Sequence, residues 1–515
     1  MRGRAPGQEP ASQACAGLKA NALGLGDVVV VALAGAGPAQ RIAAGMVGLM
    51  LAVGYGTLVP LLLCFLAMLA IAVGYERLGA WRPSAGATYS WASRTMPPLV
   101  GVFAGWIMLL YYAIGTATLG LLLGACLLGF FSDSAANDRY DVALVGSILS
   151  LVALIVAALG VRPSALFSRA LVLVECVLLV GFVVAAVVTV DSVGLSGMAD
   201  SLRSSLTLPR SGLLSGILIA IFLFSGWEAA AVLGEETRDR RAGRAGLVGV
   251  VLLFLLYSVA IVAFQRVAPF GTMQANQADI LAFVGAALGG PVWQDVMIAA
   301  LLCGTLASLQ VAIVGSGRIS FAMGRDGALP AFLAAVHPRW RTPWNATILV
   351  GLLDVAFLWG ATLLTPVGDA VAGMVASLGL LAAMVYLLTA ASAVWHARRA
   401  AGGGVAGLVL GGILPGLGGG FMAVVIVASA MTGRFTATVL IVLGLALGGL
   451  ILSLLAGRVR SRVMSASVAP SPAVGATASE PRLAVVRGVA PVGDEPSSRK
   501  QEAREESLDD ERRAA

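Results

Sequence analysis

Long apolar runs broken by short polar loops fill most of the chain. A helix rises about 1.5 Å per residue, so about 20 apolar residues cross a bilayer core. The pattern predicts twelve spanning helices, at roughly 23–52, 57–77, 98–129, 142–160, 166–190, 212–233, 244–265, 290–323, 345–364, 370–394, 405–431 and 435–457. A further run, 276–288, is too short to cross and reads as an amphipathic helix in a loop. After about Arg458 Ser, Pro, Ala and Gly take over, and mixed charge follows from Arg499 to Arg513. Such a tail cannot bury enough apolar surface to order itself. The predicted organisation is an N-terminal segment 1–22, a twelve-helix domain 23–457 and a disordered tail 458–515.

Composition excludes the alternatives. Of 515 residues, 58% are hydrophobic and 12% charged, with a mean hydropathy of +0.91. Soluble domains carry about 25% charged residues, so this chain cannot clothe a water-exposed surface of its size. The formal charge of +7 could suggest nucleic acid in a soluble protein. Here the arginines sit mainly in short loops, where orientation in the bilayer is the simpler cause. Nucleic acid is therefore not an expected partner, whereas the lipid bilayer is. The loops on the N-terminal side of the twelve-helix pattern hold fifteen Arg, against five on the other side (Arg139, Arg203, Arg210, Arg266 and Arg434). That bias predicts both termini in the cytoplasm and a multi-pass protein of the cytoplasmic membrane.

Arg2, Arg4 and Lys19 before an apolar run, with Ala32-Leu33-Ala34 inside it, resemble a signal peptide. The apolar run continues to about Val53, so an uncleaved first span is expected. Cys15, Cys64, Cys126, Cys176 and Cys303 are scattered and form no CxxC. His337 and His396 fall in polar loops. No metal site, cofactor or Ser-His-Asp triad is expected inside the membrane, and no oligomeric state is read from the sequence.

Two spans carry helix breakers in mid-course. Span 1 contains Gly35-Ala36-Gly37-Pro38, and span 6 contains Phe224-Ser225-Gly226-Trp227-Glu228. Pro removes an amide donor and clashes with the preceding turn; Gly has low helix preference. Open backbone is tolerated at membrane depth where it lines a cavity. Breaks five spans apart fit a 5+5 inverted repeat, here 23–190 and 212–394, with two further helices at 405–457. The plainer alternative is that these residues only kink their helices.

Four stretches then resemble the amino acid–polyamine–organocation (APC) superfamily of permeases. They are Arg82-Pro83-Ser84-Ala85-Gly86-Ala87-Thr88-Tyr89; Gly101 to Trp106; Phe222 to Glu228 with Gly234-Glu235-Glu236-Thr237; and Gly324-Arg325-Asp326-Gly327-Ala328-Leu329-Pro330 with Thr342-Pro343. The likeness implies an all-α membrane protein of the leucine-transporter type, with discontinuous helices 1 and 6. It implies a secondary transporter of an amino acid or related amine. Spans 1, 2, 6 and 7 would rock against spans 3, 4, 8 and 9 in alternating access. It further implies that Gly35, Ala36 and Gly37 offer amides to a carboxylate, that Ser225 and Gly226 line the unwound part of span 6, and that Phe222 is an aromatic gate. The sequence departs from the pattern after Gly37, where Pro38, Ala39, Gln40 and Arg41 follow.

Charged residues deep in a membrane face a cavity, pair, or take up protons. Arg41, Glu175 and Glu228 are the deep candidates, with Asp354 expected less deep. Glu228 is either a proton carrier or ammonium acceptor, or a cap that holds span 6 broken. Glu175 is either a proton-coupling acid or a structural partner. Arg41 recognises a substrate carboxylate or phosphate, neutralises Glu228, or snorkels outward. The predicted substrate-binding set is Gly35, Ala36, Gly37, Pro38, Arg41, Tyr111, Phe222, Phe224, Ser225, Gly226 and Trp227. Protons or sodium are the candidate coupling ions, with the Ser308 hydroxyl the candidate for a sodium site. A polyamine carrier, an amine exporter, a non-transporting sensor and an intramembrane enzyme are the competing functions. The enzyme is disfavoured because no DDxxD-type acid pair occurs near a membrane edge: Asp509-Asp510 lies in the tail.

Overall fold

The structure, a computed structural model, describes residues 17–54, 56–131, 138–189, 210–238, 242–268, 270–276, 279–399, 404–431, 444–445 and 447–451. All lie in the compact unit Met1–Val468. The predicted tail and most of the predicted span 435–457 lie outside the described residues.

Eleven helices among the described residues are long and apolar enough to cross a membrane. Spans 1 to 6 are Leu25–Val53, Leu58–Trp81, Pro98–Phe131, Arg139–Ala158, Val161–Val188 and Gly212–Leu233. Spans 7 to 11 are Ala242–Gln265, Pro291–Arg325, Trp344–Leu364, Val367–Arg399 and Gly404–Met431. The short apolar helix in the loop before span 8 runs Ile280–Gly289. No strand occurs among the described residues; one isolated parallel bridge joins Leu23 to Thr237.

Apolar side chains divide into two populations, as lipid contact requires. Leu166, Leu173, Val177 and Val184 of span 5 and Leu352 and Leu353 of span 9 face outward. Val28, Ile42, Leu223, Phe224 and Tyr257 are buried between helices. Span 1 lies at the centre, packed on spans 5, 7 and 8 and on the second half of span 6. Spans 3, 4, 8 and 9 pack on one another and form a frame beside it.

At one end of the bundle the sequence motifs meet. The Ala22 and Leu23 amides donate to the Glu236 carbonyl at 2.8 and 3.1 Å, and the Arg238 amide donates to the Leu23 carbonyl at 3.0 Å. The chain entering span 1 is thereby tied to the chain leaving span 6. Both are tied to span 8: Arg318 grips Glu236 through two bonds of 2.6 and 3.1 Å, and both side chains are buried. Arg318, one of the fifteen Arg counted with the loops, is thus a buried partner within span 8 and not a loop charge. Arg325 forks Glu235 at 2.9 and 3.1 Å, and the Ala85 amide donates to the same carboxylate at 2.9 Å.

Candidate functional site

Span 1 is helical from Leu25 to Ala36 and restarts at Pro38. Gly37 between them has φ 49° and ψ 73°, a left-handed conformation that favours glycine. Its amide donates to the Leu33 carbonyl at 2.9 Å, which closes the first half. Pro38 takes the first position of the new helix, where a missing amide costs little. The second half opens into a π turn at Ile42–Met46 before finishing as α-helix over Val47–Val53. Such turns concentrate at functional sites.

Span 6 is α-helical to Phe224, turns at Ser225-Gly226, and continues as a 3₁₀ helix, Trp227–Leu233. Gly226 has φ 105°. The break has its own fittings. The Ser225 hydroxyl and amide both donate to the Phe222 carbonyl, at 2.7 and 3.1 Å. Glu228 Oε2 accepts the Gly226 amide at 2.8 Å and the Tyr386 hydroxyl at 2.6 Å. Glu228 therefore does cap the break, with a tyrosine of span 10 as its second donor.

The two breaks cross. A β-carbon added to Gly35 would strike the Gly226 carbonyl, and one added to Gly226 would strike the Gly35 carbonyl. Beside the crossing lies a cavity of about 30 Å³, room for a few waters. Its walls are Gly35, Gln40 and Arg41 of span 1, Tyr111, Tyr112, Gly115, Thr118 and Leu119 of span 3, and Phe222, Gly226 and Ala229 of span 6. Ser308, Val311 and Ala312 of span 8 and Leu378 of span 10 complete it.

Of the predicted substrate residues, Gly35, Arg41, Tyr111, Phe222 and Gly226 line this cavity. Ala36, Gly37, Pro38, Phe224, Ser225 and Trp227 do not. Phe224 turns away to Phe65 and Tyr257, at ring separations of 6.3 and 5.7 Å. Trp227 stacks on Tyr386 at 5.8 Å and meets Tyr75 edge-on at 5.0 Å. Gln40, Tyr112, Thr118 and Leu378 belong to the cavity and were not predicted. Periodicity names the span a residue occupies but not the angle at which it faces its neighbours.

The expected amide cradle is arranged differently. The Gly37 amide stays on Leu33, and Pro38 has none to offer. The amide that leaves the ladder is that of Ala39, and Glu175 Oε1 of span 5 accepts it at 2.7 Å. Glu175 is fully buried, and its Oε2 has no hydrogen-bond partner. Its carboxylate abuts Gly304 of span 8, where a β-carbon would collide with it. One turn along, the Ser308 hydroxyl donates to the Ala34 carbonyl at 2.7 Å. Asp354 is deeper than expected: it is buried ten residues into span 9 and outside the cavity.

An all-helical membrane bundle whose first and sixth spans break and cross beside a cavity is a transporter of the leucine-transporter type. The chain belongs to the amino acid permease family, whose profile matches residues 18–456. It is 30% identical over 338 residues to an uncharacterized transporter of Mycobacterium tuberculosis, covering 65% of this chain and 72% of that one. It is also 30% identical over 303 residues to a low-affinity putrescine importer of Escherichia coli, covering 56% of this chain and 64% of the importer. A crystal structure of a manganese transporter mutant from Eremococcus coleocola has the same fold. Its TM-score is 0.51 at 15% identity, over 85% of this chain and 93% of that one.

Proposed function

We propose that the protein moves an amino acid or related amine across the cytoplasmic membrane by alternating access, with both termini in the cytoplasm. The observation that carries this reading is the cavity at the Gly35–Gly226 crossing, lined from both broken spans and from spans 3 and 8. Opening toward one side requires the unit of spans 1 and 6 to tilt against the frame. The Glu236–Arg318 pair and the Ala22–Glu236 bonds close one end of that path and have to part on the other stroke.

Coupling to protons is supported by Glu175. One of its oxygens holds the Ala39 amide of the broken span and the other has no donor. That second oxygen is the place for a proton, and its occupancy alters the bond that ties span 1 to span 5. Glu228 is the second candidate, because it holds the Gly226 turn itself.

The test is flux. Purified protein in proteoliposomes should give saturable uptake of a small zwitterion or amine, driven by an inward proton gradient or by exchange. Glu228→Ala should abolish it. Uptake that survives this change removes Glu228 from the mechanism, and ligand binding without any flux turns the reading toward a sensor.

A further inference from the structure

Arg41 is 7% exposed. Its Nε donates to the Ala36 carbonyl at 3.0 Å, and its guanidinium carbon lies 4.3 Å from the centre of the Phe222 ring. Among the described residues no carboxylate comes within ion-pairing distance of it, and no hydrogen bond engages Nη1 or Nη2. A buried cation without a counter-charge is costly. The Phe222 face and one carbonyl offset only part of that cost, and Arg41 is part of a cavity wall.

The rest of the wall does not supply the missing charge. No Asp or Glu lines the cavity. Glu228 is not a wall residue and makes no ion pair with Arg41; its Oε2 accepts from the Gly226 amide and Tyr386. Glu175 lies outside the wall on the Ala39 amide. Gln40 Oε1 and the Tyr112 hydroxyl, both of wall residues, are buried without partners. The cavity therefore presents one free cation and uncharged polar groups.

Resting on the transport reading above, we infer that Arg41 is the specificity-determining residue and that it recognises an organic carboxylate. The guanidinium matches a carboxylate through two parallel bonds. The α-ammonium of an amino acid contributes little, since only neutral acceptors such as Gln40 Oε1 await it. A diamine, with two positive charges and no anion, is repelled. The carboxylate anchor has moved from the helix amides, where that of Gly37 is already spent on the Leu33 carbonyl, to a side chain one turn further along span 1.

The experiment ranks ligands by charge on the wild-type protein. Thermal shifts in detergent would be read with the twenty amino acids, with the decarboxylated amine and the deaminated acid of each, and with putrescine. Ligands of the folded state raise the melting temperature. The expected result is that amino acids and their deaminated acids of one side-chain type bind within about tenfold of each other, while the matching amines and putrescine give no shift. Arg41→Gln should weaken the carboxylate ligands roughly ten- to a hundredfold. Arg41→Lys, which keeps the charge and loses the fork, should fall between.

An amine that binds as well as its parent amino acid overturns the inference. So does full carboxylate affinity in a folded Arg41→Gln protein, or a panel in which no carboxylate gives a shift. If Arg41→Gln does not fold, the ligand ranking on wild type still decides. Saturable uptake of putrescine would sink this inference and leave the transport reading standing, whereas carboxylate binding without flux would do the reverse.

Discussion

Gly35 and Gly226 meet backbone to backbone, each occupying the space where the other's β-carbon would stand. The contact joins the two broken spans at the level of the cavity, which both residues line. Gly226 also needs its φ of 105°, which a β-carbon opposes.

Gly226→Ala should therefore be the more damaging of the two substitutions. It combines the collision with backbone strain, together about 2–4 kcal/mol, and should lower the melting temperature and abolish uptake. Gly35→Ala, with the collision alone, should cost about 1–3 kcal/mol. Equal losses would remove the strain at Gly226 from the account, and negligible losses would show that the spans separate without cost.

The buried Arg318–Glu236 pair makes a second prediction. Removing either partner strands the other charge, at about 3–5 kcal/mol. Arg318→Met and Glu236→Met should each lower the melting temperature sharply. The double variant should be more stable than either single one, because neither charge is left alone. Additive losses in this double-mutant cycle would mean that the two groups do not depend on each other.

Glu235 lies outside the spans, and its pH behaviour follows from its neighbours. Burial pushes its carboxyl up, but the Arg325 fork and the Ala85 amide outweigh that and hold it below the usual glutamate range. A depressed folded-state value means that the ionised group stabilises the fold. That contribution is complete above the unfolded value of about 4.3 and is lost as pH falls through the folded one. Glu235→Gln should thus melt earlier than wild type at pH 7, with the gap closing in acid. A gap that persists unchanged to about pH 3 contradicts the assignment.

Much of this arrangement was legible in the chain itself, for reasons that differ by element. Gly37-Pro38 announces its break because the two residue types act locally: one ends a helix, the other can only begin one. The Glu235-Glu236 and Arg325-Asp326 motifs were visible as strings, and Glu235 and Arg325 prove to be partners across the fold. What stayed hidden depends on helix rotation. Tyr111 and Tyr112 both reach the cavity, whereas Phe222 faces it and Phe224, two residues on, does not. Leu378 comes from span 10, whose helix runs unbroken through Gly373 and Gly379 and so gives no signal. Arg318 sat within the predicted span 290–323, yet only its burial against Glu236 distinguishes it from a loop charge.

Glu175 provides the sharpest test of coupling. Glu175→Gln keeps an oxygen for the Ala39 amide and replaces the partnerless Oε2 with a group that cannot take up a proton. The variant should fold, since the bond that fixes span 1 to span 5 survives. Ligand affinity should change by less than about fivefold, because Glu175 is outside the cavity wall and one neutral hydrogen bond is worth about 1 kcal/mol. Uptake driven by an inward proton gradient should disappear, while exchange of internal for external substrate continues. In proteoliposomes these are separate measurements, one with an empty acid-outside vesicle and one with a substrate-loaded vesicle at equal pH. Gradient-driven accumulation in a folded Glu175→Gln protein would remove Glu175 from the proton path and leave Glu228 as the remaining acid at the breaks.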